Sequence, residues 1–133
     1  VTRYLLDTTF LIDYLDGSDD VRRFLEAHGG DEFATTAMNY KEVAVGQRLN
    51  DAFDPQVFSA AFDWLDVMPI AIEHAVPASA FEAELYRSDT HTRRAVDAAT
   101  ADLLIAGAAE AEGMTVVTRN VDDFERFVPV VDY

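Results

Sequence analysis

The chain has 133 residues, half of them hydrophobic and 26% charged, which fits one globular domain with a real core rather than a disordered chain. It contains no cysteine, so disulfides, thiolate metal sites and Cys nucleophiles are excluded, and a reducing cytoplasm is the expected home. Twenty-five acids against ten bases, of which Lys41 is the only Lys, give a net charge of −15; this opposes binding to nucleic acid through a broad basic surface.

The same charge favours solubility in concentrated salt, where the Debye length falls to roughly 3 Å near 1 M. An Asp-rich, Lys-poor surface suggests a salt-adapted, halophilic source. The longest apolar run, Leu103–Ala109, is far short of the ~20 residues that span a bilayer. No basic-then-apolar leader opens the sequence, so neither a signal peptide nor a membrane partner is expected.

The first strand candidate is Arg3–Leu6, followed by helical spacing over Thr9–Leu15. Gly17-Ser18 breaks the chain, and Ser18 can cap a helix that presents Val21, Phe24 and Leu25 on one face and stops at Gly29-Gly30. Glu32–Thr35 reads as a strand and Met38–Asn50 as a helix. Pro55 opens a helix with Val57, Phe58, Ala61, Phe62 and Leu65 inward. Phe53 and Trp64 flank that stripe, which is more often core than interface.

Val67–Ile72 reads as a strand that Pro69 keeps short or at an edge. Helical patterns then cover Ala75–Arg87 and Thr100–Glu112, with Gly113 as the stop. The second is nearly all Ala, Leu, Ile and Gly, which suits close packing on a sheet. Met114–Thr118 is the next strand, Val121–Phe127 a short helix and Val128–Val131 a last edge strand. Strands separated by helices predict an α/β fold, a parallel sheet with helices on both faces.

In such sheets the ligand crevice lies beyond the carboxyl ends of the strands. The run "YLLD" ends at Asp7, and "MTVVTRNVDDF" hands its strand to the Thr118–Asp123 turn, so both belong at one sheet edge. Glu42 and Asp102 fall in the first turns of two apolar helices, where a buried helix begins.

Each acid has a local reading. Asp7 can cap the helix after the first strand, Asn39 with Glu42 and Asn120 with Asp123 have capping-box spacing, and Thr100 can cap with Asp102 favouring the helix dipole. Taken together the acids crowd like charge. Two carboxylates about 5 Å apart repel by roughly 3 kcal/mol at an effective dielectric near 20. Such a group takes up protons or holds a divalent cation. Mg²⁺ prefers oxygen ligands and a few carboxylates, whereas His28, His74 and His91 lack zinc-ligand spacing. Carboxylate-held Mg²⁺ or Mn²⁺ suits phosphodiester hydrolysis.

"LLDTTFLIDYL", "NYKEVAVG", "TADLLIAGAA" and "VVTRNVDDF" occur in the order and spacing of a PIN domain. The chain resembles, more narrowly, the VapC-type toxin ribonucleases of type II toxin–antitoxin pairs. The resemblance spans the whole chain, as a single domain over residues 1–133. It implies a three-layer α/β/α sandwich around a parallel sheet of four or five strands. It also implies Mg²⁺- or Mn²⁺-dependent endonuclease activity on RNA, a homodimer, and a small antitoxin partner that blocks the site.

Carried over by motif, Asp7, Glu42 and Asp102 match the first three acidic positions. Some relatives place an Asp where this chain has Asn120 and others an acid just before the Phe, here Asp123. Asp123 is taken as the fourth acid, with Asn120 as a polar neighbour and Asp122 outside the metal's ligands. Thr8 or Thr9, together with Thr118, is expected to hydrogen-bond the acids or the waters on the metal. Arg119, Arg93, Arg94 and Lys41 are the candidates for RNA contact.

An alternative reading, from another class, is a non-catalytic PIN-like protein-binding module whose acids are helix caps. A phosphotransfer domain fits less well. A haloacid-dehalogenase-type site needs an Asp two residues after the first, where Thr9 stands, and a receiver-type site needs a late Lys.

Overall fold

The computed structural model describes residues 1–88 and 90–133. Five strands, β1 (Arg3–Leu6), β2 (Glu32–Thr36), β3 (Asp66–Met68), β4 (Thr115–Val117) and β5 (Val130–Val131), form one sheet in the order β3-β2-β1-β4-β5, every neighbouring pair parallel. Among the described residues seven α-helices accompany them: α1 (Thr8–Leu15), α2 (Asp19–Ala27), α3 (Ala37–Leu49), α4 (Pro55–Ala61), α5 (Ile72–Arg87), α6 (Arg93–Ala98) and α7 (Thr100–Glu112). Among the described residues no helix is long and apolar enough to cross a membrane.

Side chains alternate across a strand, and β1 shows how that builds three layers. Leu5 points into one core with Ile105, Ala106 and Ala109 of α7, while Tyr4 and Leu6 point into the other with Phe10, Val21, Val43 and Phe58 from α1–α4. Burying a Leu side chain completely contributes about 1.5–3 kcal/mol, and Leu5, Leu6, Leu11 and Ile105 are all fully buried. The small residues of α7 bring it close to α5 as well as to the sheet. A Cβ on Gly107 would lie 2.4 Å from the His74 carbonyl oxygen and 2.9 Å from the Ala78 Cβ. Gly113, at φ +66°, ends α7 in the left-handed conformation that glycine adopts without penalty.

Several elements differ from the sequence pattern. The expected strand Val67–Ile72 is only β3, because α5 starts at Ile72; His74 Nδ1 accepts the Ala71 N–H at 3.1 Å and closes that helix start. Helix α6 was not expected; Thr92 caps it by accepting the Ala95 N–H, and Val96 is its one buried residue. The run Val121–Phe127 forms only a 3-10 turn over Val121–Asp123. The last strand shrinks from Val128–Val131 to β5.

The strand order fixes the site. From β1 the chain moves outward through β2 to β3, then returns to the other side of β1 for β4 and β5. The direction reverses between β1 and β4, so the crevice past their carboxyl ends is the topological switch point where ligands bind in open α/β sheets.

Candidate active site

Asp7 follows β1 directly and Thr118 follows β4, and the two meet. Thr118 Oγ1 donates to Asp7 Oδ2 at 2.8 Å, and Asn39 Nδ2 donates to Asp7 Oδ1 at 2.9 Å. Asp7 is 4% exposed. It stands at the N-cap position of α1 but makes no capping hydrogen bond, so the cap reading of this residue is overturned. Burial pushes its carboxyl above the usual range. The Thr118 hydroxyl, the Thr8 amide and the Asn39 amide oppose that shift, and the Glu42 charge adds to it.

The cap of α3 also differs from expectation. Thr36, not Asn39, is the N-cap, accepting the Asn39 N–H at 3.2 Å. The Thr36 hydroxyl proton goes to Asn39 Oδ1 at 2.7 Å, which turns the Asn39 amide nitrogen toward the site. There it donates to Asp7 and, at 3.0 Å, to Thr8 Oγ1. Thr8 Oγ1 passes its own proton to Glu42 Oε2 at 2.7 Å. This chain of donors runs one way and ends on two carboxylates, so both Asp7 and Glu42 are held as acceptors. Asn39, fully buried, is a site residue that the local sequence reading assigned to a cap.

Thr9 Oγ1 lies 3.3 Å from Thr118 Oγ1 and accepts the Arg119 N–H at 3.2 Å. Thr118 Oγ1 accepts the Asn120 N–H at 3.0 Å. Asn120 precedes the 3-10 turn without a side-chain capping bond, so the Asn120–Asp123 capping box is absent.

Asp102 is half-buried in the first turn of α7. The helix is not capped by Thr100, whose hydroxyl donates to the Asp97 carbonyl oxygen at 2.9 Å instead. Burial pushes the Asp102 carboxyl up to about 7, with the charges of Asp123, Asp7 and Glu42 adding in that order. Asp122 and Asp123 both line the cleft at Asp102, and of the two it is the Asp123 charge that acts on the Asp102 carboxyl. Among the described residues no hydrogen bond reaches the Asp102 carboxylate.

The four acids are not in tight mutual contact. Among the described residues, the group whose ligand atoms all lie within 4.8 Å of one another is Glu73, His74 and Glu112, elsewhere in the fold. That group does not fit a resident ion. His74 Nδ1 is occupied by the Ala71 N–H, and Nε2 hydrogen-bonds Glu112 Oε1 at 3.0 Å, so neither ring nitrogen is free to ligate. The crevice acids fit a hard cation better: an all-oxygen donor set, two members oriented by hydrogen bonds, and one half-buried carboxylate that no hydrogen bond satisfies among the described residues.

Of the candidate cations, Arg119 is committed to acids. Its guanidinium bonds Asp20 at 2.8 Å and Asp132 at 3.0 Å and lies 3.9 Å from the Tyr133 ring centroid. Arg93, Arg94 and Lys41 are exposed; Arg93 lies 6.0 Å from the Tyr86 ring centroid.

The PIN domain family model matches residues 4–128, and the chain belongs to the PIN domain family. Its fold is similar to VapBC2 of Rickettsia felis bound to a promoter DNA fragment, at 19% identity, 99% coverage of both chains and a TM-score of 0.76. It is similar to DNA-bound VapBC of Salmonella typhimurium at 22% identity, with 99% of this chain and 98% of that one covered and a TM-score of 0.76. It is also similar to a toxin–antitoxin complex from Klebsiella pneumoniae at 24% identity, with 96% and 95% covered and a TM-score of 0.74. At these identities the likeness establishes the fold. The sequence has no significant match among curated proteins.

Thr118→Val keeps the shape of the residue and removes the donor on Asp7 Oδ2. Affinity for Mn²⁺, followed by the ion-induced rise in melting temperature, is expected to fall about 10–100-fold, the usual effect of losing a hydrogen bond behind a ligand. An unchanged titration would remove Thr118 from the site.

Proposed function

We propose that this chain is a divalent-metal-dependent endoribonuclease, a hydrolase acting on RNA phosphodiester bonds, and that it works as the toxin of a toxin–antitoxin pair. The observation that carries the reading is the hydrogen-bonded group after β1, in which Asn39 and Thr118 hold both oxygens of Asp7 and Thr8, itself bonded by Asn39, holds Glu42; burial and the charges of Asp123, Asp7 and Glu42, which push the Asp102 carboxyl up to about 7, support it. Asp7 and Glu42 are linked through Asn39 and Thr8, and Asp102 and Asp123 line one cleft; like charges gathered toward one sheet edge carry an electrostatic cost that a doubly charged cation would remove.

Asp7, Glu42, Asp102 and Asp123 would hold Mg²⁺ or Mn²⁺, which when bound supplies Lewis acidity to a water and to the phosphoryl oxygens. The chain's own part is orientation. Asn39 and Thr118 hold both oxygens of Asp7 as acceptors, Thr8 holds one oxygen of Glu42, and Asn120 and Arg119 are fixed by their backbone N–H groups to Thr118 and Thr9. The acids that would cap helices in the protein-binding alternative do not do so, which leaves that alternative without its main support.

The partner reading rests on the fold relatives, VapBC assemblies and a toxin–antitoxin complex, and on apolar surface. Ile72 and Val76, one turn apart on α5, are 83% and 64% exposed, a pairing that an antitoxin or a second copy would cover. The charge of −15 supports a cytoplasm rich in salt.

The test is direct. Chain freed of any partner should cut single-stranded RNA in Mg²⁺ or Mn²⁺, and excess chelator should stop it. RNA that stays intact in both ions, with a metal-free melting temperature that neither ion raises, would overturn the reading.

A further inference from the structure

A nuclease usually gains affinity by placing Lys and Arg on the phosphates. This chain is poorly equipped to do so. Arg3, Arg22, Arg23, Arg119 and Arg126 are each paired with an Asp or Glu, and the net charge is −15. A bound divalent ion would attract one phosphate at the acids, but the flanking phosphates would meet an acidic surface. Arg93, Arg94 and Lys41 are exposed, but against the net charge they leave much of the affinity for the rest of a strand to groups that carry no charge, which in a single strand are the bases.

One cleft beside the acids suits a base. It has a volume of about 210 Å³, smaller than the roughly 300–1,000 Å³ of a small-molecule site and enough for one ring system. Asp102 and Asp123 form one end of it. Its floor is Leu85, Leu103, Phe127 and Ala99, members of the small core that α6 closes. Phe127 is backed by Phe81 at a centroid distance of 4.7 Å in a stacked arrangement, which keeps that floor rigid. Ala95 of α6, exposed and without a long side chain, forms the lip. Of the two basic side chains that line it, His91 and Arg126, Arg126 is paired with Glu84 at 3.2 Å, and three acids, Asp102, Asp122 and Asp123, share the lining, so the cleft favours an uncharged ring over a phosphate.

We infer that the cleft between α6, α7 and the turn after β4 is a base-binding subsite, taking the nucleobase of a single RNA strand that lies next to the phosphate at Asp102 and Asp123. The inference rests on the endoribonuclease reading. An uncharged ring meets no repulsion from the acidic wall and can rest on the apolar floor. A base stacked or packed in this way contributes enough to change affinity about tenfold.

The experiment measures binding separately from cutting. Short fluorescent oligoribonucleotides, each with one abasic position, are titrated against the full chain in Ca²⁺ by anisotropy, and their cleavage is followed in Mn²⁺. One abasic position should weaken binding by the parent about tenfold, and Ala95→Leu should weaken binding of the intact strand to the same extent while no longer distinguishing the abasic one. The Mn²⁺-induced rise in melting temperature should be the same in parent and variant. Ala99→Leu, which fills the floor from within, serves as the second variant.

Equal binding of all the abasic strands by the parent overturns the subsite, and so does an Ala95→Leu chain that binds like the parent. The latter is the result expected if the cleft serves only a protein partner. Base-dependent binding without cleavage in Mn²⁺ would keep the subsite and overturn the nuclease reading.

Discussion

Asp7→Asn is expected to lower metal-dependent RNA cleavage by a factor of about 10²–10³, the range seen when a group that stabilises developing charge is removed, while making the metal-free chain more stable. The two effects share a cause. Asp7 is 4% exposed and its carboxyl is pushed up by burial, so folding the charged form costs free energy that a neutral amide does not incur. The amide also fits. Its oxygen can keep the Asn39 Nδ2 donor at 2.9 Å, and its nitrogen would face Thr118 Oγ1, whose proton can turn to Thr9 Oγ1 at 3.3 Å.

The melting temperature in chelator should rise by a few degrees, and the further rise that Mn²⁺ gives the parent should shrink. Thermal melts with and without Mn²⁺ check the pair, alongside RNA gels. A variant that melts lower than the parent in chelator would mean that Asp7 is kept for structure, and the metal reading of the crevice would go with it.

The fold was legible where a local signal matched the final environment. Helix α7 could be bounded from Thr100 to Glu112 because Gly113 ends it and its small apolar residues press on a sheet and a helix at once. The core strands β1 and β4 announced themselves as short apolar runs. What failed was weaker in period. Helix α6 has one buried residue, Val96, in the segment Arg93–Ala98, too little for a 3.6-residue pattern. The run from Val121 has helix-starting acids but yields only a 3-10 turn, because Phe124 and Val128 are buried in the sheet core.

The candidate site divides in the same manner. Asp7, Asp102 and Asp123 stood at helix starts with a local cue, and Glu42, expected in a first turn, lies in the second turn of α3 because that helix begins at Ala37; each could be picked from sequence, and its role could not. Asn39 shows the reason. Its spacing to Glu42 matches a capping box, yet Thr36 takes the cap, and the freed amide reaches Asp7, 32 positions away in the chain. The sequence carries no local record of that pairing. The mutual charge on Asp102 is likewise a property of four segments brought together, visible only once β1 and β4 are neighbours.

In chelator the chain is expected to lose stability as pH rises from about 4 to about 7. Asp102 titrates at 3.8 unfolded and at about 7 folded, so between those values the folded chain holds a proton that the unfolded chain has released, and raising pH removes an advantage of the folded state. The raised Asp7 carboxyl acts in the same direction. Saturating Mg²⁺ should flatten this slope, because a bound cation replaces the proton. By the same linkage, ion binding must expel a proton below about pH 7, and apparent affinity for Mn²⁺ should fall up to about tenfold for each pH unit below that value. General self-repulsion in a chain of charge −15 also grows with pH, so the comparison that isolates the site is Asp102→Asn. That variant should melt at nearly the same temperature as the parent near pH 5 and above it near pH 8, both in chelator. If parent and variant follow parallel curves from pH 5 to 8, the Asp102 carboxyl is charged throughout, the acids do not press on one another, and the crevice has no need of a cation.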